Sequence, residues 1–140
     1  MDRELLERLA AVPDRLAAAA ATAPDAPPGE WSPSEVVRHL IAVEEEVWHP
    51  RLARLASEDH PTWEWVEPGP WPGDPEATLD DLLDRYRVLR AATLARLDAL
   101  GEAGWARTGT HATFGVLDVA GLMTKAIEHD EEHLAGLAAG

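Results

Sequence analysis

The chain has 140 residues, 26 acidic against 12 basic side chains for a formal net charge of −14, and no cysteine. Its length predicts one domain, residues 1–140, and its hydrophobic fraction of 46% excludes a disordered chain. The absence of cysteine excludes disulfides, thiolate metal sites and a cysteine nucleophile. The acidic balance repels phosphate backbones and anionic lipids, so neither nucleic acid nor a membrane is an expected partner.

The first predicted helix runs from about Asp2 to Thr22. Its first residues lack the apolar run of a signal peptide, so we expect a soluble cytoplasmic protein. Pro13 is expected to kink or split this helix, because its ring clashes with the preceding turn. Apolar residues at spacings of three and four form one stripe for burial: Leu5, Leu9, Val12 and Leu16.

The start of the second helix carries the clearest local signal. Ser32-Pro33-Ser34-Glu35 is a capping box with proline at the first helical position. Trp31 and Val36 flank the cap as a hydrophobic-staple pair. Pro50 is expected to kink or end this helix.

Two segments rich in proline and glycine, residues 24–29 and 61–75, are predicted to be the long connections. Three tryptophans fall within or beside the second of them. These large side chains either pack the loop or build the wall of a site. The residues concerned are Trp63, Trp65 and Trp71.

The third helix is predicted to start near Asp74-Pro75 or Thr78 and to end at Gly101 or Gly104, and the fourth to begin near Asp118. No segment alternates apolar and polar residues in the manner of a strand, so we expect no sheet. Four amphipathic helices predict an all-α four-helix bundle, with the long Trp- and Pro-rich loop as the crossover connection between helices two and three.

Three histidines fall on the apolar stripes of two helices. His129 and His133 stand four residues apart, so their side chains leave one face of the fourth helix a turn apart. The acids around them are expected to lie mostly off that stripe. His39 holds the matching place on the second helix, and a bundle brings such stripes together. Burying three unpartnered imidazoles costs on the order of several kcal/mol, which a metal ion with an open fourth position would offset. The alternative is that each histidine is hydrogen-bonded within the core.

Two other motif interpretations compete with this one. His129–His133 matches the H-x-x-E-H of inverted zinc peptidases, whose further carboxylate ligand lies well downstream, whereas seven residues follow here. Glu46-Val47-Trp48-His49 matches the Glu-x-x-His of di-iron bundles. The partner motif is missing there, because the fourth helix offers only Asp130-x-x-His133.

Two sequence blocks together resemble the DinB-like/YfiT-like superfamily of metal-binding four-helix bundles. The first is Trp31–Leu40 followed by Glu44–Trp48, and the second is Phe114–Asp118 leading into His129–Leu134. The resemblance covers nearly the whole chain in element order. It implies a divalent ion, nickel or zinc, and homodimers are common in the superfamily. The ligands that it implies are His39, His129 and His133.

Characterised relatives in that superfamily include S-transferases that use bacillithiol or mycothiol and a mycothiol-dependent isomerase. The resemblance therefore implies a metal-dependent thiol S-transferase or a hydrolase that acts on a small molecule, with a low-molecular-weight thiol as a further cofactor. Two alternatives stay open, a metal-binding module without turnover and a purely structural dimeric bundle.

Several polar residues keep more than one expected role. His111 either reaches the open metal position or is an exposed loop histidine, and His49 and His60 are expected to be structural or exposed. Imidazole binds a metal only when neutral, and its reference pKa of about 6.5 predicts that metal binding fades below about pH 6. Candidates for a general base or for support of the ligands are Glu35, Glu46, Glu131 and Glu132.

The charge balance predicts that the protein does not bind nucleic acid. Titration of fluorescently labelled single-stranded and duplex DNA, followed by polarisation, should give no binding at micromolar protein, because no basic cluster offsets the charge of −14. Micromolar binding that weakens as salt is added would contradict this expectation.

Overall fold

Five α-helices and three short strands follow one another along residues 1–139, the part of the chain that the structure, a computed structural model, describes. The helices are α1 (Arg3–Thr22), α2 (Pro33–Val43), α3 (His49–Ser57), α4 (Leu79–Trp105) and α5 (Val119–Ala139). The strands are β1 (Thr62–Trp63), β2 (Thr108–His111) and β3 (Gly115–Asp118). A π-helical turn, Glu44–Trp48, joins α2 to α3 into one helical element. The predicted four-helix bundle is therefore confirmed.

Side-chain caps set the starts of the helices at the predicted places. The Ser32 hydroxyl accepts a hydrogen bond from the Glu35 amide at 3.2 Å, and the Glu35 carboxylate accepts one from the Ser32 amide at 3.1 Å. Asp2, Thr78 and Asp118 likewise accept backbone N–H groups at the starts of α1, α4 and α5. Each cap satisfies a donor that has no partner inside its helix.

Two prolines and one glycine have different effects on the continuity of their helices. α1 is continuous across Pro13, so the split that was one of the two predicted outcomes does not occur. Pro50 does not end its helix either, since α3 continues beyond it. The π turn ends at Trp48, two residues before Pro50, and its wider ring makes room for the proline that an α-helical turn would crowd. Gly101 has φ of 64°, and it interrupts α4 at one of the two predicted ends.

The prediction of no sheet was wrong. β1 pairs with β2 in parallel, and β2 pairs with β3 antiparallel, so the three strands form one small sheet. Their lengths of two and four residues are too short to show an alternating pattern in sequence. The sheet lies at the end of the bundle where α3 and α4 finish and α5 begins.

α2 and α4 pack against each other and run in the same direction. In the middle of α2, the Arg38 guanidinium donates to the carbonyl of Trp71, which precedes α4. Just past α4, Arg107 donates to the carbonyl of Leu55, near the end of α3. Neighbouring parallel helices need a connection that returns along their length.

The connection, residues 58–78, makes that return along the surface of α3 and α2. Its backbone carbonyls accept hydrogen bonds from side chains of the helix that it retraces. In the chain order of the loop, Arg54 donates to Thr62, Arg51 to Glu64 and His39 to Pro68, and Arg38 donates to Trp71, Gly73 and Asp74. The loop is thereby held over the middle of α2, where His39 lies.

A buried guanidinium joins all four helical elements. Arg90 on α4, 1% exposed, pairs with Glu44 in the π turn at 2.7 Å and with Asp130 on α5 at 2.9 Å. It also donates to the carbonyl of Leu9 on α1 at 3.0 Å. Around this network packs a core of aliphatic side chains, which includes Leu16, Leu40, Leu52, Leu97 and Leu122.

No helix within residues 1–139 combines the length and the apolarity needed to cross a membrane.

Replacing Ser32 by alanine should lower the free energy of unfolding by about 0.5–2 kcal/mol, because the Glu35 amide then loses its acceptor at the start of α2. The measurement is a urea denaturation midpoint. Ser34→Ala is the matched control, since the Ser34 hydroxyl has no hydrogen-bond partner within residues 1–139. Equal midpoints for the two variants would contradict the role of the cap.

Candidate metal centre

The three histidines singled out in the sequence come together where α2 faces α5. One nitrogen from each of His39, His129 and His133 lies within 4.8 Å of the other two. Nε2 of His39 is 3.3 Å from Nε2 of His129, and the ring centres of His39 and His133 are 4.8 Å apart. The convergence expected from the two stripes is therefore present.

The His39–His129 pair in this cluster has the spacing of two ligands on one divalent ion. On a tetrahedral ion with metal–nitrogen bonds of ~2.0–2.1 Å, two imidazole nitrogens lie roughly 3.3–3.4 Å apart. The observed separation of 3.3 Å between His39 and His129 matches this. Nδ1 of His39 lies 2.8 Å from the Pro68 carbonyl, which only accepts, so this nitrogen carries the proton. The lone pair on Nε2 of His39 thus faces the other two rings, as in metal ligands fixed by a carbonyl.

Burial keeps the three imidazoles neutral. It lowers the pKa of His129 to about 4, helped by the nearby His39 and Arg90. It also lowers the pKa of His133 to about 4, with His129 and His39 adding to the effect. The pKa of His39 is lowered by burial as well. Protons therefore compete with a metal only at lower pH than the reference pKa of imidazole predicts.

A cavity of about 310 Å³ opens beside His39 and His129. It lies under the crossover loop, so the Trp-rich segment builds a site wall as well as packing on the helix. Its other walls come from α2, the π turn, α3, the β2–β3 hairpin and α5. The lining side chains are Val43, Val47, Trp48, Arg51, Trp65, Val66, Glu67, Pro68, His111, Phe114, Lys125, Glu128 and Glu132.

His111 lines the cavity, and it is buried, at 2% exposure, rather than exposed in a loop. Its Nδ1 accepts hydrogen bonds from the amides of Thr113 and Phe114 at 2.9 and 3.2 Å. A nitrogen that accepts carries no proton, so the proton of the neutral ring is on Nε2. Burial lowers the pKa of His111, which favours this neutral form. His111 is thus a hydrogen-bond donor, and its tautomer does not suit a fourth metal ligand.

His49 and His60 lie outside the cavity wall, in agreement with their expected structural or exposed roles. Nε2 of His49 is 3.0 Å from the Leu89 carbonyl and 2.9 Å from the Thr93 hydroxyl. The exposed His60 contacts two threonine hydroxyls of β2, at 3.0 and 2.7 Å.

Of the four acidic residues considered in the sequence, Glu132 lines the cavity. Glu35 completes the capping box, Glu131 forms a two-point ion pair with Arg15, and Glu46 is exposed outside the wall. Two further carboxylates that the sequence analysis did not identify also line the cavity: Glu67 and Glu128.

The buried ion network around Arg90 was not predicted from the sequence. Asp130 was expected to lie off the apolar stripe, yet it is 1% exposed. The signal was its position three residues after Ile127 and four before Leu134, both of which are buried. A charged residue type indicates exposure to solvent, but a carboxylate also occurs in a core where it is paired with a guanidinium.

The sequence profile of the DinB superfamily matches residues 2–137, and the chain belongs to this superfamily. Among solved structures, it is similar to YfiT from Bacillus subtilis, described as a probable metal-dependent hydrolase with an unusual four-helix bundle topology. That likeness has a TM-score of 0.75 at 18% identity, and it covers 99% of this chain and 87% of the other. A search of curated proteins returned no match.

The lowered pKa values predict that metal binding persists below pH 6. Between pH 7 and about pH 5.5 the affinity for zinc should fall less than about tenfold, whereas three imidazoles of ordinary pKa would lose roughly several hundredfold. Isothermal titration of metal-free protein with zinc at both pH values measures the difference. A loss of several hundredfold would contradict the structural argument.

The pH dependence of the stability of the metal-free protein is the control for the lowered pKa values. The pKa values of His129 and His133 are lower in the folded than in the unfolded chain. The contribution of these two residues to the stability of the folded state is therefore complete above about pH 6.5, and it is lost as the pH falls towards about 4. The variant His129→Gln should therefore lose less stability over this range than the wild type does.

Proposed function

We propose that the protein is a metal-dependent hydrolase of a small molecule, with a divalent ion held by His39, His129 and His133. The observation that carries the proposal is the meeting of three neutral imidazoles beside a cavity large enough for a small substrate. The fold shared with YfiT supports it, since that protein is described as a probable metal-dependent hydrolase.

The donor set suits zinc or nickel, the two ions expected from the sequence, because imidazole binds both well. A divalent ion held by these three neutral ligands would keep its full charge, and it would lower the pKa of a bound water to about 7 and polarise a substrate carbonyl. The protein's part is to hold the rings in place. The Pro68 carbonyl orients His39 for that purpose.

Glu132 is the proposed proton acceptor. It stands three residues after His129 on α5, so the two side chains share one face of the helix, and it lines the cavity. In the hydrolysis, the water oxygen bonds to the electrophilic carbon while Glu132 takes one proton, and that proton passes to the leaving group as its bond breaks. Trp48 and Trp65 narrow the access of bulk water to this step.

Thiol transfer, the other activity that the resemblance implies, would use the same site with a low-molecular-weight thiol in place of water. The homodimer and the cytoplasmic location also remain predictions. Light scattering of the purified protein checks the first of these two.

Protein purified without a histidine tag, stripped with a chelator and reloaded with zinc or nickel should hydrolyse p-nitrophenyl acetate, whereas the stripped protein should not. His133→Ala should lose both metal binding and turnover, because two imidazoles hold a divalent ion poorly. Glu132→Gln should keep the metal and lose roughly 10²-fold or more in kcat, since general-base catalysis contributes typically that much.

Two variants control for general disturbance. His60→Ala removes a histidine away from the cavity, and Glu131→Gln removes the neighbouring carboxylate that pairs with Arg15; both should keep metal and turnover. Turnover that requires an added thiol would indicate transfer instead of hydrolysis. Bound metal without turnover would indicate a binding module, and equal metal affinity of the wild type and His133→Ala would refute the site.

A further inference from the structure

Arg51 is buried beside the three histidines without an acidic partner. It lies on α3, is 7% exposed, and lines the same cavity as His39 and His129. Within residues 1–139, no carboxylate lies within ion-pair distance of its guanidinium. A buried cation without an acidic partner is unexpected in a chain with a net charge of −14.

Arg90 shows how this fold treats a buried guanidinium with a structural role. It is neutralised by two carboxylates, Glu44 at 2.7 Å and Asp130 at 2.9 Å. Buried charges are normally paired in this way, because desolvation is costly. Arg51, by contrast, is a buried charge without an acidic partner, and it lies in the wall of a cavity.

The contacts of Arg51 leave most of its donors unused. One N–H donates to the Glu64 carbonyl of the crossover loop at 3.0 Å. The guanidinium also lies 5.6 Å and 5.9 Å from the ring centres of Trp48 and Trp63, which partly offsets the buried charge. A guanidinium has five N–H groups and cannot lose its charge in a protein. The remaining N–H groups have no acceptor within the described residues.

One neighbouring side chain adds a donor in the same cavity. The Nε2 of His111 carries the proton of its ring, since Nδ1 accepts two backbone N–H groups. We call Arg51 and His111 the donor wall. The carboxylates of the cavity, by contrast, belong to exposed residues at its rim: Glu67, Glu128 and Glu132.

Resting on the proposed function, we propose that the substrate carries a carboxylate and that the donor wall binds it, with Arg51 as the anchor. The planar guanidinium fits a carboxylate with two parallel hydrogen bonds. A singly charged carboxylate is favoured over a doubly charged phosphate, because the acidic rim repels a dianion more strongly. With its carboxylate on Arg51, a small molecule extends its reacting bond across the cavity towards His39 and His129.

The test compares benzoate with benzamide, two probes of nearly equal shape that differ in charge. Isothermal titration of metal-free protein should show benzoate binding about tenfold or more tightly than benzamide, as expected for hydrogen bonds to a buried charged group. Arg51→Gln should reduce the preference to about twofold or less, because a neutral amide replaces the guanidinium.

Arg54→Gln is the matched control. Arg54 also anchors the crossover loop, through the Thr62 carbonyl, and the substitution removes the same charge, but Arg54 does not line the cavity. It should keep the benzoate preference. A similar loss in Arg54→Gln would indicate that loosening of the loop is the cause and would overturn the proposal. Circular dichroism establishes that both variants are folded, and absence of the preference in the metal-free wild type overturns the proposal without any variant.

Repeating the titrations with zinc-loaded protein separates this proposal from the proposed function. A benzoate preference that appears only with zinc and survives Arg51→Gln would mean that the carboxylate binds the metal, so the donor wall would be refuted and the metal site kept. A preference in the metal-free wild type that Arg51→Gln removes supports the donor wall even if the zinc-loaded protein lacks hydrolytic activity.

Discussion

The ion network of Arg90 is the interaction on which the rest of the structure depends. One guanidinium reaches α1 through the Leu9 carbonyl, the π turn through Glu44 and α5 through Asp130. Removing one partner of a buried pair costs about 3–5 kcal/mol, so the helices are held in the arrangement that pairs this guanidinium with both carboxylates. Asp130 is adjacent to His129, and Glu44 lies on the same helical element as His39. The network therefore fixes the relative positions of the two helices that carry the imidazoles.

The parallel arrangement of α2 and α4 has a second consequence for the site. A connection between parallel neighbours must travel back along the bundle, and here it does so across the helix that carries His39. The Pro68 carbonyl then selects the tautomer of that histidine, and Trp65 covers the cavity. A short connection between antiparallel helices would have provided neither the Pro68 carbonyl nor the cover by Trp65. The topology of the fold thus decides the chemistry available at the cluster.

The cavity separates its charges by depth. Neutral imidazoles and N–H donors lie in the buried wall, whereas the carboxylates lie at the exposed rim. Burial lowers the pKa of each histidine in the wall. The acids keep their hydration because they are exposed. A site of this kind keeps its three histidines neutral near pH 7.

The sequence by itself determined the local features, because each depends on neighbours along the chain. The capping box at Ser32, the helix starts at Asp2 and Asp118, and the one-turn spacing of His129 and His133 follow from backbone geometry alone. The bundle and the meeting of His39 with the other two histidines followed from apolar stripes that have to be buried together. Tertiary structure alone decided the sheet, whose strands are too short to leave a pattern, and the tautomers of His39 and His111. It also decided that Arg90 is neutralised and Arg51 is not, since residue type does not reveal which buried charge the fold will pair.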